Sequence, residues 1–278
     1  MHNSADVIVA SRVSVAHRNN VTVIGSGART IMLAHGFGCD QNMWRFIVPA
    51  LKNQYRILLF DHVGAGKSDI SQYDPAKYRS LQGYADDVVE IIDAIGGAAP
   101  VIFVGHSVSS MMGVLAAIGS PEKFESLILI GPSPCYIDDG EYLGGFSRAD
   151  IDGLLETLDS NYLGWSSAMA PAIMGNSDRP ELAAELTDSF CRTDPQIAKQ
   201  FAHVTFLSDN RADLHLVKTP SLILQCSRDV IAPDCVGDFV HRQIRESSFV
   251  KLRATGHCPH MSAPGEVVAV LKEYLEGT

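Results

Sequence analysis

Short, nearly continuous apolar runs alternate along the chain with longer stretches in which apolar positions recur every three or four residues. The runs at 55–60, 101–105, 126–131 and 221–226 are closed or followed by Gly, Asp or Ser, and those at 30–34 and 248–252 lead to Gly36 and Gly256 soon after. Runs of that length with no polar alternation are the pattern of strands buried on both faces. Residues 12–16 and 21–24 alternate instead, with His17 to Asn20 between them, and predict an antiparallel hairpin. Gly25-Ser26-Gly27 is then a hairpin turn, since no helix follows it to make a dinucleotide fingerprint. Helical spacing marks segments at about 40–52, 80–96, 108–119, 233–245 and 264–276, most clearly where Leu81, Tyr84, Val88, Ile91, Ile92 and Ile95 fall on one face. Strands alternating with helices predict an α/β fold: a mostly parallel central sheet with helices on both faces.

One stretch breaks the alternation. From Cys135 to about Val204 there is no strand signal, but there are helical pieces punctuated by Pro171, Pro180 and Pro195. Ile151, Leu154, Leu155, Leu158 and Tyr162 predict one amphipathic helix, and Leu182, Leu186 and Phe190 another. We expect residues 135–204 to form a helical cap, inserted after the sixth strand of a core made of 1–134 and 205–278. The 278-residue length suits that arrangement, being ample for one large core plus an insertion.

Composition narrows the function classes. A hydrophobic content of 46% with only 19% charged residues argues against disorder. Lys and Arg number 22 against 32 Asp and Glu, a net charge of −10, and no basic run exists to grip nucleic acid or an anionic membrane. No apolar stretch approaches the ~20 residues of a membrane helix. The N-terminal residues lack the basic and apolar segments of a secretion signal, so a cytoplasmic location is expected. The six cysteines include no CxxC pair, which leaves a zinc ribbon or a thioredoxin-type redox pair unsupported.

The strongest chemical signal is Gly105-His106-Ser107-Val108-Ser109, which joins an apolar run to a helix containing Gly113, Ala116 and Ala117. A serine at such a strand-to-helix turn projects its hydroxyl outward, although Ser109 stands where the strict pattern has glycine. A serine hydroxyl is a weak nucleophile at neutral pH and needs a base, which in turn needs an orienting acid. Asp229 and His257 follow the runs at 221–226 and 248–252, in the order acid then histidine. All three lie just beyond the carboxyl ends of predicted strands, the edge where open α/β sheets place their chemistry. Backbone N–H groups for a developing oxyanion are expected from Val108 and from Phe37, in His35-Gly36-Phe37-Gly38.

Other motifs fall short. Gly64-Ala65-Gly66-Lys67-Ser68 resembles the end of a phosphate loop, but the required earlier glycine is Asp61. His257 and His260 flank Cys258-Pro259 without a third or fourth ligand nearby, so no metal is expected and His260 is taken as structural. His106 sits on the turn itself and is expected to line or support a pocket. Asp61 also follows a strand but precedes Ser107, and Asp229 is the preferred acid.

The segments beginning at His35, Phe60, Gly105 and Gly256, with Gly131-Pro132-Ser133-Pro134-Cys135-Tyr136 and Asn161-Tyr162-Leu163-Gly164-Trp165, together resemble the α/β-hydrolases of the RsbQ type. That family includes a bacterial regulator of the sigma-B stress response and the plant karrikin and strigolactone receptors. The resemblance implies a four-helix cap over a hydrophobic pocket and slow hydrolysis of a small ligand without a cofactor. For the bacterial relative it also implies a signalling role with a PAS-domain phosphatase as partner. On both grounds Phe37, His106, Val108, Tyr136, Trp165, Met169 and Phe201 are the expected pocket residues. An aromatic, largely apolar cavity with a serine at its floor suits a compact ester or lactone. Two further possibilities stay open: a ligand-sensing regulator whose hydrolysis is incidental, and a cofactor-free lyase or perhydrolase on the same scaffold.

Overall fold

A computed structural model of the chain describes residues 14–277. Among these residues seven strands form one sheet: β1 (Thr22–Ile24), β2 (Thr30–Ala34), β3 (Arg56–Leu59), β4 (Val101–His106), β5 (Phe124–Ile130), β6 (Ser221–Arg228) and β7 (Ser247–Thr255). Their order is β1-β3-β2-β4-β5-β6-β7. β1 runs antiparallel to its neighbour β3, pairing Thr22 with Leu59 and Ile24 with Ile57. The strands from β3 through β7 pair in parallel, as the unbroken apolar runs predicted.

Alternate residues of each strand feed two separate cores. Ile31, Leu33, Ile102, Val104, Ile128 and Leu224 face one side, and Met32, Phe103, Leu127, Leu129 and Ile223 the other. The second side is covered by α1 (Leu81–Ile91), α2 (Val108–Gly119) and α7 (Asp234–Gln243), through Val88, Met111, Met112 and Val240 among others. The first side is covered by α8 (Pro264–Gly277) and by four helices inserted between β5 and β6. These are α3 (Arg148–Ser160), α4 (Tyr162–Met174), α5 (Pro180–Arg192) and α6 (Pro195–Phe206). Among the described residues no helix is long and apolar enough to cross a membrane.

Four expectations are corrected. Residues 14–18 are helical, so the strand expected at 12–16 does not form there; positions 12 and 13 lie outside the described residues. Arg18 instead reaches α1, 3.1 Å from Asp87 and 2.5 Å from Glu90. Gly25 to Gly27 is not a hairpin turn, because β1 and β2 sit on opposite sides of β3. The inserted helices accordingly follow the fifth strand of the sheet, not the sixth. Tyr162 belongs to α4 and not to the helix before it. Asn161 leaves helical geometry there (φ −149°, ψ 77°) and its side chain caps the next helix by accepting from the Gly164 N–H.

Candidate active site

Three parallel strands deliver three polar side chains to one edge of the sheet. Ser107 follows β4, Asp229 follows β6, and His257 lies two residues beyond β7. Ser107 holds φ 57° and ψ −128°, a conformation rare for a residue with a Cβ. Its N–H donates to the Ile130 carbonyl at 2.8 Å, which anchors the turn to the neighbouring strand. Gly105 makes the tight turn possible, since a Cβ there would sit 2.6 Å from the Ser109 carbonyl oxygen.

Ser107 Oγ lies 2.7 Å from His257 Nε2, and His257 Nδ1 lies 2.7 Å from Asp229 Oδ2. A carboxylate only accepts, so Nδ1 carries the proton and Nε2 is left to accept from the serine hydroxyl. The second Asp229 oxygen accepts from the N–H groups of Ile231 (2.8 Å) and Ala232 (3.1 Å). Burial raises the Asp229 pKa, but His257 and these two N–H donors outweigh it and hold the carboxyl below its usual range. All three side chains are buried. The arrangement pairs a hydroxyl with an imidazole base whose tautomer a fixed carboxylate selects.

The loop after β2 closes against this turn. A Cβ on Gly36 would lie 3.3 Å from the Ser107 Cβ, so the Gly36–Phe37 backbone passes beside the serine. Val108 opens α2, where the first N–H of a helix has no carbonyl a turn earlier to bond.

A narrow cavity of about 30 Å³ opens on Ser107 and His257, with room for about one water. Phe37, His106 and Tyr136 line it, as do Cys39, Ile173, Leu186, Phe190, Thr205, Phe206, Ile231 and Cys258. Of the other expected pocket residues, Trp165 stacks behind Phe190 with ring centroids 5.6 Å apart. Phe201 packs against Phe37 at 5.4 Å and borders a separate, smaller void. Met169 is partly buried against the core on the inserted side, and Val108 belongs to the opposite core. Leu186 and Phe190 had been visible as an apolar helix face, but their approach to the serine was not. Nothing in the spacing of Cys39, Thr205 or Ile231 marks them.

A second serine–histidine pair lies nearby and has different chemistry. Ser109 Oγ donates to the His35 carbonyl and lies 2.8 Å from His62 Nε2. With its own proton committed to that carbonyl, Ser109 accepts from His62, which therefore is not positioned as its base. Burial also pushes the His62 pKa well below its ordinary value, and among the described residues no carboxylate orients its ring. Both residues are fully enclosed and stand outside the cavity.

His106 donates from Nε2 to the His257 carbonyl at 2.7 Å. Burial, followed by the neighbouring His257, drives its pKa down to about 3, so it stays neutral. His260 is wholly buried, with its ring 4.4 Å from that of His106 and 4.6 Å from that of Trp44. Asp61 is consumed by bonds from Asn20, Gln41 and Lys67. No group of histidine, cysteine and acidic side chains among the described residues is placed to hold a metal ion. The six cysteines are all free thiols.

A family model described as the alpha/beta hydrolase family matches residues 31–270. The chain is 37% identical over 262 residues to the karrikin insensitive 2 receptor CA of Petunia hybrida, covering 94% of this chain and 97% of the relative. A strigolactone esterase of Arabidopsis thaliana is 35% identical over 266 residues, with 95% and 99% of the two chains covered. The solved structure of a hydrolase from Oleispira antarctica superposes with a TM-score of 0.93 at 41% identity, over 96% of this chain and 98% of that one.

Proposed function

Because the chain belongs to the alpha/beta hydrolase family, we propose that it is a serine hydrolase of small hydrophobic esters or lactones, with Ser107, His257 and Asp229 as its triad. The observation that carries this is the unbroken chain of contacts from Ser107 Oγ through His257 to Asp229, 2.7 Å at each step, at the floor of an apolar cavity. Ser107 attacks the substrate carbonyl while its proton passes to His257 Nε2, and Asp229 stabilises the imidazolium. The N–H groups of Phe37 and Val108 receive the oxyanion. His257 gives the proton to the departing oxygen as its bond to the carbonyl carbon breaks, releasing an alcohol from an ester or a tethered hydroxyl from a lactone. A water, deprotonated by the same imidazole, then cleaves the acyl-enzyme and restores the serine.

In this account residues 135–204 act as a cap over the core formed by 1–134 and 205–278. The cavity of about 30 Å³ holds about one water, so in this reading the inserted helices shift to admit an ester. That closure also favours a second role, a ligand sensor whose cap changes with occupancy, and relatives named as receptors support it. Turnover of short-chain p-nitrophenyl esters by the wild type and Ser107→Ala tests the hydrolase. Hydrolysis by the wild type that falls by at least ~10³-fold in the variant is expected. Absent wild-type activity, or activity retained by Ser107→Ala, would overturn the proposal.

A further inference from the structure

The backbone of His257 is held from two sides by different parts of the chain. Its carbonyl accepts from His106, next to the nucleophile. Its N–H donates to the Ile173 carbonyl at 2.8 Å, at the end of α4 in the inserted helices. The two segments touch backbone to backbone there. A Cβ on Gly256 would meet the Met174 carbonyl oxygen at 1.9 Å, and one on Gly175 would come within 3.2 Å of the Gly256 Cα. Glycine at both positions permits the approach, and both also take positive φ, 80° and 60°.

Asn176 closes this junction. Its φ of 52° continues the left-handed bend that ends α4. Its Nδ2 carries two hydrogens, one for the Met174 carbonyl at 2.8 Å and one for the Thr255 carbonyl at 2.9 Å. Its Oδ1 accepts from Arg179 at 3.2 Å, which fixes the orientation of the amide. The amide thus bridges the last turn of α4 to the strand end that carries His257. Ile173 supplies the remaining connection, because its side chain lines the cavity while its carbonyl holds the His257 N–H.

We infer that Asn176 is a positioning residue that couples the inserted helices to His257, so that occupancy of the cavity is felt at the imidazole. The inference rests on the proposed role of His257 as the proton carrier. Substrate entering the cavity presses on Ile173, and the α4–β7 bridge decides whether His257 keeps its alignment with Ser107. The Arg45–Glu185 and Arg192–Asp40 pairs at α5 make no such connection to the histidine.

Asn176→Gly separates side chain from backbone, since glycine adopts the same φ without strain and lacks the amide. Asn176→Asp keeps the shape but turns carboxylate oxygens toward the two carbonyls. We expect kcat for a short p-nitrophenyl ester to fall about tenfold in Asn176→Gly, with KM within about twofold and a larger loss in Asn176→Asp. The downfield proton resonance of His257 Nδ1–H, assigned by its loss in Asp229→Asn, should shift or broaden in both variants. A merely structural role would lower the melting temperature and leave the resonance and the kcat of the folded fraction unchanged. Wild-type kcat and an unmoved resonance in whichever variant folds would overturn the coupling. If the wild type cleaves no ester, the hydrolase proposal fails on its own, and the resonance still decides the coupling.

Discussion

Acidification should destabilise this fold through histidines that have no room for a proton, and His106 allows the effect to be sized. Its ring is buried, its Nε2 donates to the His257 carbonyl, and its pKa is depressed to about 3, by burial first and the adjacent His257 second. In the unfolded chain a histidine takes up its proton near pH ~6.5. Between those values the unfolded state binds a proton that the folded state refuses, so stability falls as pH drops from about 6.5 toward about 3. At about 1.4 kcal/mol per pH unit, His106 alone costs the fold about 2 kcal/mol at roughly pH 5 relative to neutrality. That is a sizeable share of a typical total of ~5–15 kcal/mol. His35, His62 and His260 are depressed by burial as well and act in the same direction. The test is a double difference: urea unfolding, followed by far-UV circular dichroism, of wild type and His106→Gln at about pH 7.5 and about pH 5. Glutamine retains an N–H donor for the His257 carbonyl but does not titrate. The other three histidines are common to both proteins and cancel. Wild type should lose about 2 kcal/mol more than the variant between the two pH values. Equal losses would refute the claim that His106 is held neutral by the fold.

Two further outcomes follow from the site itself. Phe190 stands between the cavity and Trp165, so Phe190→Ala should raise kcat/KM for longer-chain esters relative to acetate while costing about 3–5 kcal/mol of stability; an unchanged chain-length profile would count against the cavity as the acyl site. Asp229→Asn replaces a pure acceptor by an amide and favours the wrong His257 tautomer, so kcat should fall by about 10⁴ with little change in KM, measured with the same esters.

The sheet was largely legible because a strand buried on both faces must be apolar at every position, and the runs at 30–34, 101–105 and 221–226 lie within or match β2, β4 and β6. The order acid then histidine was equally visible, since parallel strands place consecutive loops on one edge. The N-terminal segment was not. Ser14-Val15-Ala16-His17-Arg18 alternates well enough for a strand, and five residues are too few for periodicity to choose. What decides it is long-range: Arg18 bonds to α1, and Asn19 reaches the Asp61 carbonyl. The sheet order was hidden for the same reason, because β1 pairs with β3 and skips its sequence neighbour. In the inserted helices the apolar face was readable but the depth of each side chain was not. Stacking of Trp165 on Phe190 puts one aromatic in front of the other, and only the packing of α4 against α5 determines which. Likewise no local pattern singles out Asn176, and only the approach of β7 to α4 gives its amide two carbonyls to bond.

The proposed roles of Ser107 as nucleophile and His257 as its base are open to direct chemical labelling. Treatment with a fluorophosphonate, followed by peptide mapping by mass spectrometry, tests them without knowledge of the natural substrate. A single adduct on the peptide bearing Ser107, at the Ser107 oxygen, and its loss in His257→Ala, is the predicted result. An adduct at Ser109 or elsewhere, labelling unaffected by removal of His257, or no adduct on the wild type would contradict the account.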